Sequence, residues 1–298
     1  MNKLSLCLIV FFLYACDSNK HITEDAYLEK VNAMTVEEVP ISEEVLADII
    51  QQIPSPLEIS MLLKEKGTRY DKKLLNAANK SSSYNSNFEK ALNLGIYGTD
   101  LGYTNIYEQN QDALFYLSSI KDLADGLSIG QFFDFGTIKR LATNSRNLDS
   151  LLLITTKNFN NINGYLQQQK RANLSILILT GGWLEALHIT CQVVEKNPDN
   201  AALKERIGEQ KIILENIMLL LSLYEKDPSV AKLSKEMTAL QKAFSEIEIV
   251  YTYKESTLEE VNGMLMIKDN STSKIVFTEQ NLKNITKVTG EIRNKIIN

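Results

Sequence analysis

The sequence predicts a mainly α-helical protein, an irregular multi-helix bundle of about eight to ten helices with a small C-terminal β-hairpin. Three observations predict it. Apolar residues recur every three or four positions along most of the chain, which is typical of amphipathic helices. One segment, Leu174–Glu195, is apolar nearly all round. A stretch rich in β-branched and aromatic residues, Ile249–Tyr253, precedes the last part of the chain and favours strands there.

Helix-starting and helix-ending residues define the first elements of the body. A helix over 42–53 is expected between the capping residue Ser42 and Pro54. Pro56 opens a second helix, because proline fits the first helical position, and Gly67 ends it. The start of the chain's body is therefore expected to hold two short helices.

The next predicted helix, Phe88–Tyr107, follows a loop rich in serine and asparagine over 79–86. Gly95, Gly98 and Gly102 are three and four residues apart, so on a helix they form one smooth stripe that another backbone can approach closely. Further helices are expected over 112–125, 138–141 and 147–158, with the last of these extending as far as Gln169.

The all-apolar segment Leu174–Glu195 is expected to be the central helix, because a helix that is apolar on every side is buried. Two more helices are expected to begin at pairs of a capping residue and proline, Asn197-Pro198 and Asp227-Pro228. Their apolar stripes predict an antiparallel helical hairpin. The stripes are Leu203, Ile207, Gln210, Leu214, Ile217 and Leu221, and then Val230, Leu233, Met237, Leu240, Phe244 and Ile247.

The C-terminal part is predicted to hold a β-hairpin at about 263–278. Met264–Ile267 and Lys274–Phe277 are apolar, and the polar loop 268–273 between them contains Asp269-Asn270. Thr278 then caps a last helix over 279–297.

The first twenty residues have the features of an export signal. Lys3 supplies a positive charge, Leu4–Phe12 is almost unbroken apolar sequence, and Leu13–Cys16 ends in a small residue followed by cysteine. These four residues resemble the lipobox of bacterial lipoproteins. The resemblance implies cleavage before Cys16, attachment of palmitate and other acyl chains to that cysteine, and anchoring to a membrane. The alternative is an ordinary secretory signal peptide with an incidental cysteine, although an A-x-A cleavage site is missing.

The implied processing leaves a mature chain of 283 residues in two parts, a lipidated flexible tether over 16–41 and a single helical domain over 42–298. Removal of residues 1–15 takes away Cys7 and Lys3, so Cys191 is the one remaining unlipidated cysteine and the net charge becomes −6. No internal disulfide can form. An acidic chain without clusters of Lys and Arg argues against binding to nucleic acid or anionic lipid.

Glu185 and His188 form the first candidate site. Their spacing of three on a helix is the Glu-x-x-His pattern of di-iron bundles. That site needs a second such pair, and the only other histidine is His21, near the lipid. We therefore expect the two side chains to be buried and hydrogen-bonded to each other or to neighbouring helices, with no metal and no cofactor. Cys191, on the same helix, is expected to fill the core.

A second candidate region combines Tyr97, Asp100, Tyr103 and Tyr107 with the glycine stripe. Tyrosines beside glycines are suited to line a groove for a peptide, a sugar or a partner helix. The alternative, which we prefer, is a tightly packed internal seam in which Asp100 is hydrogen-bonded to a tyrosine. Beside Trp183, the pair Gly181-Gly182 indicates a close helix crossing.

Three functions are compatible with this sequence. The first is a non-enzymatic binding or scaffold subunit of the cell envelope, attached to the membrane by its lipid and bound to an envelope protein. The second is an envelope hydrolase or metal-dependent enzyme that uses carboxylates such as Asp100, Asp134 or Glu185. The third is a lipoprotein that binds a small ligand or a glycan. The choice between inner and outer membrane is left open, with the outer membrane preferred.

Overall fold

The computed structural model describes residues 49–50, 53, 56–142, 148–261 and 264–298. The predicted signal peptide, Cys16, the tether and most of the first predicted helix, over 42–53, lie outside these residues. The described part confirms a mainly α-helical fold with a small antiparallel β region before the last helix.

Nine α-helices are described. They are α1 (Pro56–Glu65), α2 (Asn87–Ile106), α3 (Asn110–Gly126), α4 (Phe135–Ala142), α5 (Leu148–Gln168), α6 (Ala172–Lys196), α7 (Ala201–Ser222), α8 (Pro228–Ser245) and α9 (Glu279–Ile297). Short 3₁₀ turns lie at Lys72–Leu74, Ala78–Ser83 and Gly130–Phe132. The four strands are β1 (Glu248–Thr252), β2 (Thr257–Val261), β3 (Met264–Lys268) and β4 (Thr272–Val276).

Side-chain caps fix the starts of several helices. A capping box at Ser86 and Glu89 begins α2, Asp227 caps α8 before Pro228, and Thr278 forms a capping box with Asn281 at α9. The predicted start of α7 at Asn197 and Pro198 is wrong. The Asn200 side chain accepts a hydrogen bond from Leu203 N (3.2 Å) and caps α7 instead.

Helix α6 is the central helix that the sequence predicts. It is long and apolar enough to cross a membrane by length and composition, but 83% of its most apolar window is buried inside the protein. Its closest partner is α2, and the two helices cross where Gly95 meets Gly182. The hydroxyl of Thr99 donates a hydrogen bond to Gly182 O (3.0 Å) across the same contact. Gly95 and Gly181 thus permit a backbone-to-backbone crossing. The predicted stripe is wrong at Gly98, which is exposed and away from the crossing.

The antiparallel pair α7 and α8 confirms the predicted helical hairpin. Every residue of the two predicted stripes is buried. The polar member of the first stripe, Gln210, accepts a hydrogen bond at Oε1 from the indole Nε1 of Trp183 (2.9 Å). This bond satisfies two buried polar groups and connects α7 to the central helix.

The β region is one long hairpin made of two antiparallel ladders. Strand β1 pairs with β4, and β2 pairs with β3. The predicted pairing of Met264–Ile267 with Lys274–Phe277 is therefore wrong, although both segments are largely strands. The partner of β3 is β2, which we did not predict as a strand because Glu259 and Glu260 interrupt its apolar pattern.

Candidate functional site

A buried ion pair joins the central helix to the C-terminal helix. Arg293 on α9 donates from Nε to Glu185 Oε2 (2.5 Å) and from Nη2 to Glu185 Oε1 (2.6 Å). Nη2 also donates to the carbonyl oxygen of Leu74 (3.1 Å). The Glu185 side chain is fully buried, and that of Arg293 is 7% exposed. The two-point geometry is the strongest form of an arginine–carboxylate contact.

Asp100, on α2, is a second carboxylic acid close to this ion pair. Burial and the negative charge of Glu185 raise the pKa of Asp100 well above its ordinary value, while Arg293 opposes that rise. The backbone N–H of Asn76 donates to Asp100 Oδ2 (3.2 Å). These surroundings favour the neutral, protonated form of Asp100, because one arginine cannot neutralise two buried carboxylates.

Asn76 and several tyrosines surround the Asp100 end of the group formed by Arg293, Glu185 and Asp100. Asn76 donates from Nδ2 to the Tyr84 hydroxyl (3.0 Å), and its main-chain carbonyl oxygen accepts from the Tyr116 hydroxyl (2.6 Å). Tyr97 donates to Ala77 O (2.8 Å), and its ring lies 5.9 Å from that of Tyr116. These contacts belong to the interior of the protein.

The predicted aromatic groove does not form. Tyr97, Asp100 and Tyr103 are fully buried, and Tyr107 is partly buried with its hydroxyl bonded to that of Thr68. The alternative, an internal seam, describes these residues correctly. However, Asp100 is bonded to a backbone N–H rather than to a tyrosine hydroxyl.

The predicted site residues on α6 each have different partners and do not form one site. Glu185 is paired with Arg293 rather than with His188, whose Nδ1 is buried without a hydrogen-bond partner among the described residues. Burial lowers the pKa of His188 to about 4. Burial likewise raises the pKa of Cys191 to about 12, which keeps it a protonated core residue. Trp183 is buried against α7 through its bond to Gln210.

Asp134 lies apart from the buried carboxylates. It is exposed, and its Oδ1 accepts a hydrogen bond from Thr137 N (3.0 Å) at the start of α4. Within the described ranges, no three His, Cys, Asp or Glu side chains are arranged to hold a metal ion.

A groove with a volume of about 540 Å³ runs between α6 and α9. Three of the residues discussed above, Leu74, His188 and Arg293, lie in its lining. The groove is also lined by charged and polar residues of both helices and of the neighbouring 3₁₀ turn, among them Lys73, Gln192, Glu195, Lys283, Thr286, Lys287 and Glu291. His188 is thus the one predicted site residue that this groove reaches.

Arg293 is the member of the buried ion pair that sequence reasoning missed. The sequence contained an indication of it. Ile285, Thr289 and Ile292 lie on the buried side of α9, and the basic residue Arg293 directly follows Ile292. A charge on a buried helix face needs a buried partner of opposite sign, and Glu185 is the acidic residue inside the apolar segment 174–194.

The chain matches no protein-family model, no curated protein and no solved structure. A functional conclusion therefore depends on the chemistry of its own residues.

Proposed function

We propose that the protein is a lipid-anchored, non-enzymatic binding subunit of the bacterial cell envelope, and that it docks a protein partner through its β-hairpin. The observation that carries this proposal is an exposed aliphatic surface on the β2–β3 ladder. We call it the hairpin face, and it consists of Leu258, Leu265 and Ile267.

The strand register places these three residues on one side of the ladder. Leu258 is directly opposite Ile267, and Leu265 lies two residues before Ile267, so all three share a face. Their exposed fractions are 69%, 74% and 77%. The other face carries an ion pair, in which Lys268 Nζ lies 2.6 Å from Glu259 Oε1. The register also places Glu260, opposite Leu265, on the hairpin face and Met266, opposite Glu259, on the other face, so the hairpin face is distinguished by its three exposed aliphatic residues and not by a lack of charge.

An exposed aliphatic face of this kind fits a protein partner. Clustered exposed apolar side chains are typical of interaction sites, and a two-stranded sheet is marginally stable in water until another surface covers it. Among the residues that the structure describes, no further strand pairs with the outer edge of β2 or β3, and a partner strand can add there. Apolar residues of a partner would cover the hairpin face while its backbone extends the sheet.

Charge argues against the membrane as the surface that covers this face. Residues 248–276 contain five acidic and three basic side chains, so an anionic lipid surface repels the hairpin on balance. The membrane is contacted through the lipid on Cys16 in this proposal, and the hairpin face contacts protein.

The enzymatic alternative has no supporting observation among the described residues. Asp100 and Glu185 are both fully buried, so a substrate arriving from solvent reaches neither carboxylate. The third candidate, Asp134, is exposed, and its Oδ1 accepts a hydrogen bond from Thr137 N at the start of α4. The glycan-binding alternative likewise depended on exposed aromatic side chains, and Tyr97 and Tyr103 are fully buried.

The anchor is tested with the variant Cys16→Ser. We expect it to abolish incorporation of labelled palmitate and to leave an unprocessed precursor, because the acyl chains are attached to the thiol of that residue. Metabolic labelling followed by electrophoresis measures both effects. The control is Cys7→Ser, which removes a cysteine from the signal segment and should leave the labelling intact. Undiminished labelling of the Cys16 variant would refute the anchor.

The docking surface is tested with the variant L258T/L265T/I267T. Threonine keeps strand propensity, so the fold should be retained while the apolar face is lost. We expect a partner that co-purifies with the wild-type protein from detergent-solubilised membranes to be lost from this variant. Mass spectrometry identifies the partner, and thermal unfolding checks the fold.

The matched control for the hairpin face is E259T/M266T/K268T, which changes the opposite face of the same ladder. It should retain the partner. Loss of the partner from both variants, its retention by both, or a wild-type protein that purifies alone would each contradict docking through the hairpin face. Co-purification of only a second copy of the chain would also contradict a distinct partner.

A further inference from the structure

The groove between α6 and α9 has the size of a small-molecule site. Its volume of about 540 Å³ lies within the usual range for ligand pockets, roughly 300–1,000 Å³. It is separate from the hairpin face, since its lining comes from α6, α9 and the first 3₁₀ turn.

Arg293 contributes a hydrogen-bonding edge to this groove. The residue is 5% exposed, and its Nε and Nη2 atoms are already bonded to Glu185 and to Leu74 O. Nη1 makes no hydrogen bond to a described residue, and it is not one of the fully buried polar atoms without a partner. Because Arg293 lines the groove, the N–H donors of Nη1 are available to a molecule inside it.

His188 adds a second polar group beside this edge. Its Nδ1 is buried and lacks a partner among the residues described, while the side chain lines the same groove. An imidazole offers one N–H donor when neutral and two when protonated. Because Nδ1 is buried, a bound anion would meet Nε2, which donates when it carries the ring proton, in addition to the donors on Arg293.

The charges around the groove favour a ligand with one negative charge. Glu185 already balances the charge of Arg293. The rest of the lining contains three lysines, Lys73, Lys283 and Lys287, and two glutamates, Glu195 and Glu291. One positive charge is left unbalanced, and this suits a monoanion better than a doubly charged phosphate.

We propose that this groove binds a small polar monocarboxylate, whose carboxylate accepts hydrogen bonds from Arg293 Nη1 and His188 while Lys283 and Lys287 attract it from the α9 side. Glu185 acts as a positioning residue, because its two bonds fix the plane of the guanidinium and leave the Nη1 edge free for the ligand.

N-acetylglycine is a suitable probe, and its neutral amide, N-acetylglycinamide, is the matched control ligand. Titration calorimetry on the detergent-solubilised full-length protein measures both. We expect N-acetylglycine to bind with millimolar affinity and the amide about tenfold more weakly, which corresponds to about 1.4 kcal/mol. Bound anion should also raise the pKa of the His188 imidazole, followed by NMR, from its low starting value of about 4.

Two α9 variants locate the binding. The double variant K283A/K287A should weaken N-acetylglycine binding about fivefold or more, since it removes the rim charges. The control Lys295→Ala lies on the same helix but outside the groove, where its Nζ is 3.5 Å from Glu236, and it should bind as the wild type does. Both substitutions are at exposed lysines, so folding is expected to be unaffected.

Several outcomes would overturn the proposal. Equal affinity for the acid and the amide would show that charge is not recognised. Equal loss of affinity in the double variant and the Lys295 control would place binding elsewhere. Tighter binding of inorganic phosphate than of N-acetylglycine would replace the monocarboxylate assignment. Absence of saturable binding at tens of millimolar would remove the site, without bearing on the hairpin face.

Discussion

Arg293→Met is expected to lower the free energy of unfolding by about 3–5 kcal/mol. The substitution keeps much of the side-chain volume but leaves the fully buried Glu185 carboxylate without its counter-charge. It also removes the positive charge that opposes the rise in the pKa of Asp100, the second buried acid beside Glu185. Urea unfolding of the purified protein, followed by circular dichroism, measures the change.

An exposed ion pair provides the contrast. Lys121 Nζ lies 2.5 Å from Asp125 Oδ2 at the surface of α3, and both side chains are about half exposed. Lys121→Ala should destabilise the protein far less than Arg293→Met, because water solvates the remaining carboxylate. If the Arg293 and Lys121 variants were destabilised equally, the buried pair would not have the structural role assigned to it.

A double variant separates loss of the ion pair from loss of packing. Replacing both partners, in E185L/R293M, removes the buried charge together with its counter-charge, so much of the stability lost in R293M should return. A double variant no more stable than R293M would show instead that the loss comes from features that both variants lack, such as the hydrogen bond to Leu74 O, rather than from the unpaired charge of Glu185.

Local signals explain why most helices were predictable. The start of α2 depends on Ser86 and Glu89, and the end of α1 is marked by Gly67 in a left-handed conformation with φ of 75°. Such caps act within a few residues and are visible in the sequence. The stripe of α8 was predictable for the same reason, because its period reflects one helix packing against a neighbour.

The strand pairing was less predictable because it joins segments distant along the chain. β1 reaches across the intervening β2 and β3 to pair with β4. The overlooked signal is the dipeptide Asn262-Gly263 in the sequence between β2 and β3, a combination typical of two-residue hairpin turns. We chose the polar loop 268–273 as the turn instead, and this choice assigned β3 the wrong partner.

The candidate site was predictable only in part. His188 and Glu185 were recognisable as polar residues in an apolar helix, but their separate partners were not. Arg293 is 108 residues away from Glu185 along the chain, and no local pattern shows that α9 packs there. The groove depends on that packing, so its lining could be found only from the tertiary structure.

Gly95→Ala is expected to destabilise the protein by about 3 kcal/mol, although alanine is the better helix former. A Cβ at position 95 would overlap the carbonyl oxygen of Ile178 and crowd the backbone nitrogen of Gly182. Neither obstacle is the movable end of a side chain, so α2 and α6 would have to separate along their crossing. Thermal and urea unfolding measure the loss.

Gly98→Ala is the matched control, because it makes the same chemical change three residues along the same helix. A Cβ there would have no other atom within 4 Å. The helix propensity of alanine should then stabilise the protein by up to about 1 kcal/mol. The two substitutions are therefore expected to have opposite signs, and this separates backbone contact from intrinsic helix preference. Loss of stability in both, or gain in both, would mean that close backbone contact at Gly95 does not determine the stability of the α2–α6 crossing.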